Sequence, residues 1–212
     1  MPKSKVLITS SGPTLEGYLE LPDLPPPFPA VLLCHPHPLH GGNMHNNVIV
    51  AVGNALVKEG FAVLRFNFRG VGESEGSFGE GAGEQDDARA CLSFLLEREE
   101  IDSHRLGIGG YSFGGMIAFL VGVRENTAAA LAGISPVISK DALKGCTKPK
   151  IIISGTEDDM VPTALILKEV NKAGEPKDFR VIDGADHFWW GFEEQLGELV
   201  AGFFSDCFKK RT

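Results

Sequence analysis

Two apolar runs meet at Gly110-Tyr111-Ser112-Phe113-Gly114, one ending at Gly110 and the other beginning at Met116. A strand that enters this pentapeptide and a helix that leaves it must turn sharply around the serine. The turn strains the serine backbone and lifts its hydroxyl above the sheet edge. Strand and helix pass so closely that a Cβ two residues to either side would collide, hence Gly110 and Gly114. Such a junction requires a sheet with helices packed on it, and it makes Ser112 a nucleophile.

Spelling alone would not single out this serine. With 26 glycines in 212 residues the pattern recurs by chance, and a second copy stands at Gly72-Glu73-Ser74-Glu75-Gly76. That copy also follows a strand-like run, at 61–68. What comes next is Ser77-Phe78-Gly79-Glu80-Gly81, which has no helical periodicity and provides no helix N-terminus with free amide donors. Ser74 therefore reads as a loop residue.

Short apolar runs at 30–34, 61–68, 105–111, 129–134, 151–154 and 179–182 read as strands buried on both faces. An antiparallel pair at 6–9 and 15–21, with its turn at 10–14, opens the chain. Helical spacing predicts helices over 44–59, where Val48, Val52 and Leu56 share a face and Gly60 ends the run, and over 86–99, 116–123, 161–172 and 192–208. Strands alternating with helices predict an α/β fold, a mostly parallel sheet with helices on both faces, whose chemistry sits at the carboxyl ends of the strands.

The residues after two of those strands complete a constellation. Gly155-Thr156-Glu157-Asp158-Asp159-Met160-Val161-Pro162 follows 151–154, and Asp183-Gly184-Ala185-Asp186-His187-Phe188 follows 179–182. A serine hydroxyl is a weak nucleophile at neutral pH, so His187 is needed to take its proton and pass it to the leaving group. A carboxylate from the first loop would fix the imidazole tautomer. One oxyanion donor is expected from the Phe113 amide at the helix start. The other comes from the loop after 30–34, where Pro36 and Pro38 have no N–H to give. His37 between them does, and Leu39 is the alternative.

With these residues in view, the chain resembles the α/β-hydrolase superfamily over essentially its whole length. More narrowly it resembles a small, lidless bacterial subgroup of serine hydrolases related to dienelactone hydrolase. The matching stretches are His35-Pro36-His37-Pro38-Leu39-His40-Gly41-Gly42-Asn43-Met44, then Arg65-Phe66-Asn67-Phe68-Arg69-Gly70-Val71-Gly72-Glu73-Ser74-Glu75-Gly76, the Ser112 turn, and Gly184-Ala185-Asp186-His187-Phe188. The resemblance implies a triad of Ser112, Asp158 and His187, with Asp159 as the other choice of acid, and supports His37 as the second oxyanion donor. It departs from dienelactone hydrolase in the nucleophile, which there is cysteine. It also implies a carboxylesterase that needs neither metal nor organic cofactor. Thioester, lactone or peptide cleavage by the same triad, or a non-catalytic binding protein on this fold, are the other readings. Between 134 and 151 there is no room for the cap domain of larger relatives, so an open site favouring short-chain acyl esters is expected. Trp189 and Trp190 read first as helix-packing residues; standing close to His187, one of them is also a candidate for the substrate pocket, together with Tyr111 and Phe113.

The remaining features bound the partners. A hydrophobic fraction of 43% over 212 residues can bury one core, and the Pro-rich piece 22–29 is too short to divide it, so 1–212 reads as one domain. The net charge of −8 disfavours nucleic acid or an anionic membrane as partner, the resemblance implies a small-molecule acyl substrate, and oligomeric state is not readable. Lys209-Lys210-Arg211 reads as a solvated helix end. Met1-Pro2-Lys3-Ser4-Lys5 is not followed by an apolar core, and Cys34, Cys91, Cys146 and Cys207 are scattered thiols, so a cytoplasmic protein is expected. His35, His37, His40 and His45 raise the question of a metal. Leu39 stands where metallo-hydrolase patterns carry an acid, and no metal is expected. Arg69 with Asp86 and Asp87 reads as an ion pair holding the 70–83 loop.

Overall fold

The antiparallel pair β1 (Lys3–Ile8) and β2 (Leu15–Glu20) forms one edge of an eight-stranded sheet in a computed structural model that describes residues 3–9 and 12–209. The expected turn at 10–14 and the basic tail at 209–211 fall partly outside those residues. The chain continues through β3 (Phe28–Cys34), α1 (Asn47–Lys58), β4 (Ala62–Phe66), α2 (Ala82–Leu96), β5 (Ile101–Tyr111) and α3 (Phe113–Arg124). It ends with β6 (Ala130–Ile134), β7 (Lys150–Gly155), α4 (Thr163–Val170), β8 (Lys177–Ile182) and α5 (Glu193–Lys209). Strand order is β1-β2-β4-β3-β5-β6-β7-β8, parallel from β4 through β8.

Period-two alternation divides the strands between two apolar layers. Ala30, Leu32 and Cys34 of β3 face the layer formed with α2, α3 and α4, whereas Val31 and Leu33 face the one formed with α1 and α5. The short apolar runs of β4, β6 and β7 are therefore strands covered on both faces, whereas 179–182, expected to be the same, lies in β8 at the sheet edge and has no buried residue. β6 connects to β7 through residues 135–149 alone, with no cap domain. No helix among the described residues is long and apolar enough to cross a membrane.

Two expectations are corrected here. The helix expected at 86–99 begins four residues earlier, because Glu84 accepts the Gly79 and Gly81 amides at 2.8 and 2.7 Å and so caps its first turn. Arg69 does clamp the loop that follows it, but onto Asp87 alone, through Nη2 at 2.7 Å and its own amide at 2.9 Å. Asp86 instead pairs with Arg89. Burial pushes the Asp87 carboxyl up even against the Arg69 contacts, so desolvation offsets much of this pair's attraction and its value lies in fixing geometry.

Candidate active site

β5 delivers Ser112 and α3 begins one residue later. Ser112 adopts φ 55° and ψ −116°, a conformation costing about 1–3 kcal/mol for a non-glycine residue. Three backbone bonds impose it. The Ser112 amide donates to Ile134 O at 2.9 Å, and Ser112 O accepts from the Met116 and Val137 amides at 3.2 and 3.3 Å. The glycines are steric necessities: a Cβ on Gly114 would stand 2.2 Å from Cys34 O, and one on Gly110 would stand 2.2 Å from Gly114 O. The serine at the turn is therefore held by the sheet on one side and by α3 on the other.

β7 and β8 end beside it. His187 Nε2 lies 3.1 Å from Ser112 Oγ, and His187 Nδ1 lies 2.9 and 3.1 Å from the two oxygens of Asp158. Asp158, 3% exposed, is thus the carboxylate brought to the imidazole, while Asp159 is exposed. Burial works against charge on Asp158, yet bonds from His187, Ser135 and the Val161 amide outweigh it and hold the carboxyl below its ordinary range. It stays an anion, which sets Nδ1 as the protonated nitrogen and leaves Nε2 free to accept from serine.

The histidine loop is anchored from beneath. Tyr111 Oη donates to His187 O at 2.5 Å, and burial pushes its phenol up, so it remains a donor. Trp189, at φ 62°, turns inward and donates from Nε1 to Ser135 Oγ at 3.1 Å. Trp189 takes the packing role rather than the pocket one: it is fully buried in the core layer formed with α1 and α5. Trp190 fits neither role, since it is 69% exposed and outside the cavity lining. The left-handed backbone at Trp189 separates the two. Phe188 lines the cavity in their place, and so do Tyr111 and Phe113 as expected.

The loop after β3 closes the other side. Its Leu39 amide is committed to His37 Nδ1 at 3.2 Å, and Pro36 and Pro38 have no N–H, so none of these three offers a backbone donor to the cavity. His35 secures this loop, donating from Nδ1 to Pro36 O at 2.7 Å and accepting the Phe68 amide on Nε2 at 3.0 Å. Asn67 Oδ1 accepts the Met44 amide at 2.8 Å, and Arg65 Nη1 donates to Met44 O at 2.9 Å. The two long sequence motifs therefore interlock. Ser74 belongs to that scaffold, donating to Asn67 O at 2.7 Å and accepting the Glu16 amide at 3.0 Å. His45 packs on Tyr18, and His40 packs on the His37 ring.

The neutral form of His35 carries a stability prediction. Burial pushes it down to about 4, against the bond to Pro36 O, and a proton on Nε2 would cost the bond that nitrogen accepts from the Phe68 amide. The unfolded chain binds that proton below about 6.5, so stability is full above that pH and falls as pH drops toward 4. Urea unfolding should show about 2 kcal/mol lost between pH 7.5 and pH 5 from this residue. His35→Gln, though less stable, should lose that dependence; an unchanged dependence would show that other groups cause it.

Sequence reasoning missed Ser135, which follows β6 with no motif to mark it, although the strand-end rule would have reached it. It also missed the apolar cavity residues Met116, Val137, Met160 and Val161. The cavity they share with Ser112 and His187 measures about 390 Å³.

Comparison with known proteins places this arrangement in context. The family described as serine aminopeptidase, S33, matches residues 30–145. An uncharacterised protein of Rickettsia prowazekii is 37% identical over 186 residues, 82% of this chain and 78% of its own length. An alpha-beta serine hydrolase homologue from Coxiella burnetii superposes with a TM-score of 0.86 at 32% identity, covering 94% of this chain and 96% of that one. A serine hydrolase without lid from Xanthomonas campestris gives 0.82 at 26% identity, covering 98% and 94%.

Proposed function

This chain belongs to the α/β-hydrolase family of serine hydrolases, and we propose that it is a carboxylesterase cleaving short-chain acyl esters through an acyl-enzyme on Ser112. The observation that carries the reading is the continuous path Ser112 Oγ–His187 Nε2 at 3.1 Å and His187 Nδ1–Asp158 at 2.9 Å. Ser112 Oγ attacks the ester carbonyl carbon as His187 Nε2 removes its proton. The carbonyl oxygen becomes an oxyanion held by the Phe113 and His37 amides, each worth about 3–4 kcal/mol at the transition state. Collapse breaks the bond to the alkoxy group, which leaves with the proton from His187. Water, deprotonated by the same nitrogen, then attacks the acyl carbon and restores Ser112. No metal or organic cofactor has a part in these steps.

Cavity size supports the preference for short chains. About 390 Å³ must hold both the acyl and the leaving group, and no cap extends the apolar wall. Carbons beyond the rim remain in water and gain none of the roughly 0.8 kcal/mol per buried methylene. Among 4-nitrophenyl esters, kcat/KM is expected to peak between acetyl and hexanoyl and to be at least about tenfold lower for dodecanoyl. A dodecanoyl ester hydrolysed faster than butanoyl would overturn the short-chain assignment.

A further inference from the structure

The cavity at Ser112 has a chemical bias that its family description does not share. None of the described residues lining it is acidic, and its charge-bearing side chains are His37, His40 and His187. Met116, Val137, Met160, Val161 and Phe188 supply apolar surface, and the side-chain carbonyl of Asn46, which also lines the cavity, already accepts the Val48 and Ile49 amides at 3.0 and 3.4 Å. The nearby carboxylates are spoken for or turned elsewhere. Asp158 holds His187, Glu84 is fully buried on the Gly79 and Gly81 amides, and Asp186 accepts the Phe188 and Trp189 amides at 2.9 and 3.0 Å. Glu157 and Asp159 are exposed and lie outside the lining.

An enzyme that removes N-terminal residues must seat a charged α-ammonium within a few ångströms of its nucleophile. Desolvating that group without an anionic or carbonyl acceptor is costly, and imidazoles beside it add repulsion whenever they are protonated. We infer that the acyl group accepted at Ser112 is uncharged, and that a free α-ammonium is excluded, so the chain acts on simple carboxylic esters rather than on peptide N-termini. This rests on the serine-esterase reading above and narrows its substrate class.

The test compares two esters of one shape: 4-nitrophenyl 4-methylpentanoate and the 4-nitrophenyl ester of leucine, which differ by the α-amine alone. At pH 6.5, where an α-amine with a reference value of about 7.7–8.0 is protonated, the unaminated ester should have a kcat/KM about 100-fold higher or more. The ratio should narrow by pH 8.5 as the amine loses its proton. Met160→Glu, which places a carboxylate on the exposed rim, should narrow the ratio at pH 6.5 where Met160→Gln does not. Equal or faster cleavage of the leucine ester by the unmodified chain would overturn the inference and leave the esterase reading standing. If neither ester is cleaved, both fall together.

Discussion

Ser112→Ala is expected to lower kcat on 4-nitrophenyl butanoate about 10⁶-fold, the scale on which loss of a triad nucleophile acts, while leaving the thermal midpoint nearly unchanged. The side chain removed makes one hydrogen bond, to His187 Nε2. The strained backbone at φ 55° is held by main-chain bonds that alanine keeps. Circular dichroism and a melting curve would establish the fold, and stopped assays with concentrated enzyme would reach the residual rate. A loss of less than about 100-fold in a folded variant would mean that another group attacks the ester. Ser74 is not that group in this structure, because its hydroxyl is used between Asn67 and Glu16.

Asp158→Asn is expected to cost about 10⁴ in kcat with little change in fold. The Met160 and Val161 amides both donate to Asp158 Oδ1, at 3.1 and 2.8 Å, and an asparagine carbonyl oxygen can still accept them. That choice turns the amide NH₂ toward His187 Nδ1. The imidazole must then accept there and carry its proton on Nε2, where it cannot take the serine proton. Asp159→Asn, on an exposed side chain, should stay within about threefold of the parent. Reversal of the two effects would move the acid to Asp159.

The sheet and the serine turn were legible because they are written in local periodicity. Short β-branched runs flanked by helical spacing have few alternatives, and Gly110 and Gly114 mark a close approach. His187 was legible from its place after the last strand. The acid was readable only to within a loop, because Asp158 and Asp159 are alike in sequence. Their difference lies in which one the Met160 and Val161 amides hold toward the imidazole. Which of Trp189 and Trp190 packs was unreadable for a similar reason. Adjacent indoles look equivalent until a left-handed residue buries one and exposes the other. Leu39 could be set aside as the alternative oxyanion donor only once its amide was seen on His37 Nδ1, a contact that proline positions alone do not specify. The start of α2 was missed because a capping glutamate inside a glycine-rich stretch outweighs the poor helix propensity around it.

The measurement that bears most directly on the central claim is intact mass after incubation with a fluorophosphonate, on the parent chain, Ser112→Ala and Ser74→Ala. One adduct on the parent and on Ser74→Ala, and none on Ser112→Ala, is the predicted result, since only a serine paired with His187 is activated for that reaction. A folded parent chain that forms no adduct, or one whose adduct survives Ser112→Ala, would contradict the assignment of Ser112 as the nucleophile.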